Sequence, residues 1–169
     1  MYSEILVPTD GSKAAERAID HALDLAKTYD ARIHALYVVD TSIYTSLDAG
    51  ADVVIDALER EGDAATRHVS KAAEEAGIEV QAEVVTGTAY RSIREYIDDH
   101  AIDLVVMGTH GRTGLSHYLL GSVTERVVRT SPVPVLTIRL DDEEDETDAA
   151  NEETDAANEE TDADAETEE

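Results

Sequence analysis

The run Ile102-Asp-Leu-Val-Val-Met107 leads directly into Gly108-Thr-His-Gly111-Arg-Thr-Gly114, and the chain then reaches Gly121-Ser122-Val123-Thr124. An unbroken apolar run of this length reads as a strand buried on both faces, as in a parallel sheet. Helical spacing follows it, through Leu119, Val123 and Val127, and predicts a helix over about 115–130. A strand that opens through glycines into a helix can hold a phosphate. Bare amides approach the anion closely, and the helix N-terminus adds partial positive charge.

Working outward, strand and helix signals alternate along the chain. Ile5-Leu6-Val7 is a short apolar strand closed by Pro8-Thr9-Asp10-Gly11. Residues 12–28 carry Ala15, Ala18, Ile19, Ala22, Leu25 and Ala26 at helical spacing. Ala31 to Val39 reads as a second strand, and 40–50 as a loop. Helical spacing returns over about 51–76, with Gly62 weakening its middle and Gly77 stopping it. Ile78 to Val85 alternates as a third strand. Thr88 is placed to cap a short helix carrying Ile93 and Ile97. Val133 to Ile138 is a fifth strand, interrupted by Pro134.

This alternation predicts a doubly wound α/β fold with a five-stranded parallel sheet, strand order 3-2-1-4-5, and helices on both faces. In such sheets ligands sit beyond the carboxyl ends of the strands, where the order reverses. With strands one and four as neighbours, Pro8–Ser12 and Gly108–Gly114 flank one crevice.

The glycine pattern is neither of the two common phosphate-binding fingerprints. No Gly-Lys-Ser/Thr occurs, and glycines 108, 111 and 114 follow the fourth strand with G-x-x-G-x-x-G spacing. Taken whole, however, Gly108-x2-Gly111-x9-Gly121-Ser122 resembles the motif of the universal stress protein family, in its ATP-binding branch. So do the opening Ile-Leu-Val-Pro-Thr-Asp-Gly-Ser, the Tyr-Val-Val-Asp40 of the second strand and the closing Ser-Pro-Val-Pro-Val-Leu.

The resemblance implies a Rossmann-like fold of the adenine nucleotide alpha hydrolase type over residues 1–140 and a site for ATP, ADP or AMP. Gly108, Gly111, Gly121 and Ser122 would hold phosphates, with Val123 beside them and Thr124 adding a hydroxyl. Pro8, Thr9 and Asp10 would meet the nucleoside, and Asp10 would take magnesium or manganese carried by the phosphates. Val38 and Met107 would lie on the adenine side, and Arg112 would reach phosphate. The resemblance also implies a homodimer through Val133–Ile138 and a stress-responsive sensor or regulator with at most weak ATP hydrolysis.

Plainer roles exist for several of these residues. Asp10 also suits a cap of the first helix, Gly108 and Gly111 a tight turn, and Val38 and Met107 a core. His110 has no adjacent carboxylate, which favours a phosphate-side or solvent-facing role over catalysis. The rival functions are a slow ATPase or nucleotidyl-transfer enzyme using Asp10 and His110, and an interaction protein that does not use nucleotide.

Charge and composition narrow the setting. From Asp141 to Glu169 there are 17 acidic residues and no basic or large apolar ones, and Thr-Asp-Ala-Ala-Asn-Glu-Glu occurs at 147–153 and again at 154–160. This composition predicts a disordered acidic tail. Without it, 22 acidic residues still face 13 basic ones, of which three are lysines. Such a surface suits molar salt, where the Debye length is roughly 3 Å, and points to a haloarchaeal source. Nucleic acid and anionic membranes are poor partners for it. The chain has no cysteine, which excludes thiol and zinc-thiolate chemistry. No run of about 18 apolar residues is present, and the first residues lack a signal peptide's layout, so a cytoplasmic location is expected.

Overall fold

The computed structural model describes residues 1–40, 51–111 and 120–139. Its elements are β1 (Glu4–Pro8), α1 (Lys13–Tyr29), β2 (Arg32–Asp40), α2 (Ala51–Glu75), β3 (Val80–Gly87), α3 (Ala89–Asp99), β4 (Leu104–Gly108), α4 (Ser122–Thr130) and β5 (Val135–Ile138). The five strands form one parallel sheet in the order β3-β2-β1-β4-β5, as the alternation predicts.

Successive side chains of a strand point to opposite faces, and the two cores follow that period. Ile5, Val7, Ile33, Ala35, Leu104 and Val106 pack with α1 and with Val69 and Ala73 of α2. Leu6, Leu36, Val105 and Met107 pack on the other face with Ile93 and Ile97 of α3 and Val127 of α4. Helix α1 is held at its start by Ser12, whose hydroxyl accepts the Ala15 N–H at 3.3 Å. After α2, Gly77 adopts a left-handed φ of 71°, and the Gly77 and Ile78 amides return to the Glu74 and Ala73 carbonyls at 3.0 and 2.9 Å. That is the helix stop expected of this glycine.

Three local expectations are corrected. Helix α4 starts at Ser122 rather than near 115. Leu120 is outside it, and Gly121 takes the N-cap position. Thr88 does stand at the N-cap of α3, but its side chain makes no capping bond. The acceptor comes from Asp40, whose Oδ2 takes the Ala89 N–H at 3.2 Å. Pro134 lies just before β5 and not within it, so the missing N–H costs no ladder bond, while its carbonyl accepts the Val105 N–H at 3.0 Å. The readings of 40–50 as a loop (beyond Asp40), of residues up to Leu119 as helix and of 141–169 as a disordered tail lie outside the described residues.

A second polar cluster sits at the amino end of the sheet. His34 of β2 is 2% exposed. Its Nε2 lies 2.7 Å from Glu4 Oε2 and its Nδ1 lies 3.1 Å from the Tyr96 hydroxyl. His100 stacks on Tyr96 with ring centroids 3.8 Å apart. Burial, aided by the charges of Glu83 and Glu4 and opposed by a hydrogen bond from Gln81, pushes the Tyr96 phenol up to about 12. Among the described residues, no helix is long and apolar enough to cross a membrane.

Candidate functional site

The crevice opens where neighbouring strands stop unequally. β1 ends at Pro8 opposite Leu36, and the Thr9 N–H still reaches the Leu36 carbonyl at 2.9 Å, whereas β2 runs on to Asp40. On the other side β4 ends at Gly108. Sheet order therefore brings the loops after β1 and β4 to the same edge, and a cavity of about 470 Å³ lies between them. Such a volume falls within the range of small-molecule sites.

The loop after β1 is tightly self-bonded. Thr9 is buried and its hydroxyl accepts the Gly11 N–H at 3.1 Å. Gly11 has a positive φ of 74°, which the turn into α1 requires. Asp10 Oδ1 accepts the Ser12 N–H at 3.0 Å, an Asx turn. Because Ser12 caps α1, Asp10 does not serve as the cap. A Cβ on Gly111 would lie 2.6 Å from Asp10 Oδ2, so this glycine is what lets the loop after β4 close against the carboxylate.

The loop after β4 is pinned on two sides. The Thr109 N–H donates to the Ile138 carbonyl, and the Gly121 N–H donates to the Thr109 carbonyl, both at 2.8 Å. The buried Thr124 hydroxyl donates to the Gly108 carbonyl at 3.0 Å and ties α4 to the end of β4. Thr124 thus offers the cavity its amide while its hydroxyl proton is already engaged.

Helix α4 presents its N-terminus to the cavity. Gly121 has no side chain to cap it, and the first bond within the helix runs from the Glu125 N–H to the Gly121 carbonyl at 2.8 Å. The amides of Ser122, Val123 and Thr124 consequently have no acceptor among the described residues. Amides and dipole together favour an anion here.

Of the twelve residues expected at a site, Pro8, Thr9, Asp10 and Val38 line this cavity from the first two strands. Met107, Gly108, Gly111, Gly121, Ser122, Val123 and Thr124 line it from the second half. Arg112 lies outside the described residues. Met107 and Val38 line the cavity and also pack in the core behind it. Leu36, Leu58 and Ile93 extend the apolar wall, and Asp40 adds a second carboxylate. The sequence pattern puts Asp40 at the start of a loop, where it counts only toward the family resemblance of Tyr-Val-Val-Asp40, whereas in the structure it closes β2. His110 lines the same cavity. Among the described lining residues, Asp10, Tyr37, Asp40 and His110 carry the ionisable groups, and none is lysine or arginine. No cluster of three or more His, Cys, Asp or Glu able to hold a metal occurs among the described residues. These donors fit a cation shared between Asp10 and a ligand's own phosphates, and they do not fit a resident metal centre.

Comparison with known proteins places this architecture. The model of the family described as "Universal stress protein family" matches residues 1–139. Universal stress protein MJ0531 of Methanocaldococcus jannaschii is 40% identical over 141 residues, covering 82% of this chain and 83% of that protein. The solved structure of MJ0577 from the same organism is similar at a TM-score of 0.76 and 32% identity, covering 84% of this chain and 99% of that one. A universal stress protein solved in complex with cAMP is similar at a TM-score of 0.64 and 28% identity, covering 81% of this chain and 97% of that one.

Proposed function

Because the chain belongs to the universal stress protein family, we propose that it binds ATP in the cavity between β1, β2 and β4 and acts as a stress-responsive regulator through the nucleotide-bound state. The observation that carries the reading is the bare N-terminus of α4, whose three free amides face a cavity shared with the loop after β1. Phosphates lie on the Gly111 and Gly121–Thr124 side. The adenine lies against Val38, Leu36, Ile93 and Met107, where β2 outruns β1 and its backbone is open to a base edge. The relative solved with cAMP supports an adenine nucleotide as the ligand class.

Magnesium or manganese accompanies the phosphates in this proposal. Two carboxylates line the cavity and no described lysine or arginine does, so a bare triphosphate would meet like charge there. Asp10 is proposed to share the cation, and Arg112 is proposed to reach the phosphates from its loop. The chain is proposed to form a homodimer through Val133–Ile138, where the edge strand β5 leaves Leu136 39% exposed. The acid-rich, lysine-poor composition supports a haloarchaeal cytoplasm as the setting.

The test is to denature the purified protein, identify the released small molecules by mass spectrometry, and titrate ATP with and without magnesium in molar KCl. Gly121→Arg is the comparison. A Cβ there would lie 3.1 Å from the Thr109 carbonyl oxygen, and the long side chain fills the phosphate wall. ATP in the parent, magnesium-dependent affinity and neither in the variant are expected. A parent that carries no nucleotide and ignores added ATP overturns the reading. Light scattering of the same preparation checks the dimer.

A further inference from the structure

Resting on the nucleotide site above, we propose that His110 reads the phosphate: its Nε2–H donates to a phosphate oxygen and separates phosphorylated nucleotides from the bare nucleoside. The ring lines the cavity, and its two nitrogens are in opposite situations. Nδ1 lies 2.9 Å from the Thr109 hydroxyl. Nε2 is buried and has no hydrogen-bond partner among the described residues. When the Thr109 hydroxyl donates to Nδ1, the neutral ring carries its proton on Nε2 and leaves that donor unpaired.

A buried unpaired donor is costly and uncommon in native proteins. Thr109, the residue before the ring, is bonded through its N–H to Ile138 and through its carbonyl to Gly121. Close by stand the three bare amides of α4: a Cβ on Gly121, the residue that opens that helix, would lie 3.5 Å from the His110 Cα. Together, Nε2 and these amides, without partners among the described residues, suit a ligand rich in acceptor oxygens. The carboxylates that share the cavity come from other elements, Asp10 from the loop after β1 and Asp40 from the end of β2. Asp10 Oδ1 is occupied by the Ser12 N–H, and Asp40 Oδ2 by the Ala89 N–H. A phosphate supplies the acceptor that the protein withholds.

The experiment compares adenosine, AMP and ATP binding to the full-length parent, His110→Ala and His110→Gln at one fixed pH with magnesium present. Glutamine keeps an N–H at nearly the Nε2 position. His110→Ala is expected to weaken AMP and ATP by about tenfold or more, the scale of one hydrogen bond to a charged group, and to leave adenosine unchanged. His110→Gln is expected to recover most of that loss. In the parent, the ¹⁵N resonance of His110 Nε2, assigned by its disappearance in His110→Gln, should shift with AMP and stay fixed with adenosine. Equal AMP and ATP affinity in parent and His110→Ala overturns the inference, as does an equal loss for adenosine, or an Nε2 resonance unmoved by AMP. In all three of those outcomes the parent still binds nucleotide. A parent that binds none of the three ligands overturns the nucleotide site itself.

Discussion

The two ends of the sheet treat their buried histidines in opposite ways, although Arg32 Nε at the amino end also has no partner among the described residues. At the amino end, His34 has a partner on each ring nitrogen, in Glu4 and Tyr96, and Gln81 reaches the same Tyr96 hydroxyl at 3.4 Å. Glu4 also meets Arg32 at 3.5 Å, and the Ser3 and Glu4 amides both end on Asp103. At the carboxyl end, three helix amides and His110 Nε2 have no partner among the described residues. Both ends belong to one sheet and share the same helices. Native interiors satisfy their polar groups almost everywhere. On the proposed function, the contrast sets polar residues that serve the fold against polar residues that would meet the ligand, which is where local rules are expected to break.

Breaking the amino-end cluster should produce the largest effect on stability and none on binding. His34→Leu keeps the ring's bulk but removes its bonds to Glu4 and Tyr96. Arg32 and Gln81 remain to hold those two groups in part. A loss of about 1–3 kcal/mol is expected, the range for leaving buried polar groups short of a partner, read as a lower urea midpoint. ATP affinity should be unchanged, because His34 and Val38 are four residues apart along one strand, roughly 13 Å at the usual rise. A parallel fall in affinity would show that the two ends are coupled and would break the contrast.

Much of this arrangement was legible in the sequence, and the parts that were not share a cause. The order of elements follows from periods of 2 and 3.6, which each segment carries within itself. The crevice follows from two glycine- and proline-marked loops at strand ends. Gly62 was read as a weakness of α2, yet a Cβ there would lie 2.7 Å from the Tyr37 ring, so the residue is set by how closely α2 lies on β2. Thr88 has the right chemistry for a cap, but Asp40, far away in sequence, supplies the bond. The helical period before Val123 continues through Gly121, so periodicity alone could not mark where α4 begins. The cluster of Glu4, His34, Gln81, Tyr96 and His100 left one faint trace, a lone histidine inside an apolar strand. Each of these depends on a contact between distant segments, which a local pattern does not encode.

Thr124 sharpens the contrast from the other end, because it stands at the site while its hydroxyl serves the fold. Thr124→Val removes the bond to the Gly108 carbonyl with little change of shape and leaves the amide in place. About 1 kcal/mol of stability should be lost, the net worth of one hydrogen bond, and ATP affinity should stay within about twofold. A loss of about tenfold in affinity would mean that the hydroxyl leaves Gly108 for the ligand, and would move Thr124 to the group that meets it.

The smallest effect is confined to alkaline solution and tests whether the amino end is as saturated as its geometry implies. The Tyr96 phenol is pushed up to about 12, first by burial and then by the charges of Glu83 and Glu4. In the unfolded chain it ionises near the ordinary value of about 10. Below that value both states keep the proton and stability is indifferent to it. Between about 10 and 12 the unfolded state gives up the proton while the folded state holds it, so stability falls as pH rises. Tyr96→Phe removes the titration along with the hydroxyl's bonds. The variant should therefore be the less stable of the two at about pH 9, and the gap should narrow by about pH 11 as only the parent loses this contribution. The other six tyrosines are common to both proteins and cancel in the difference. Urea midpoints measured at both pH values check it. A constant gap would mean that Tyr96 ionises as readily in the folded protein as outside it, which a phenol enclosed by His34, Gln81 and His100 should not do.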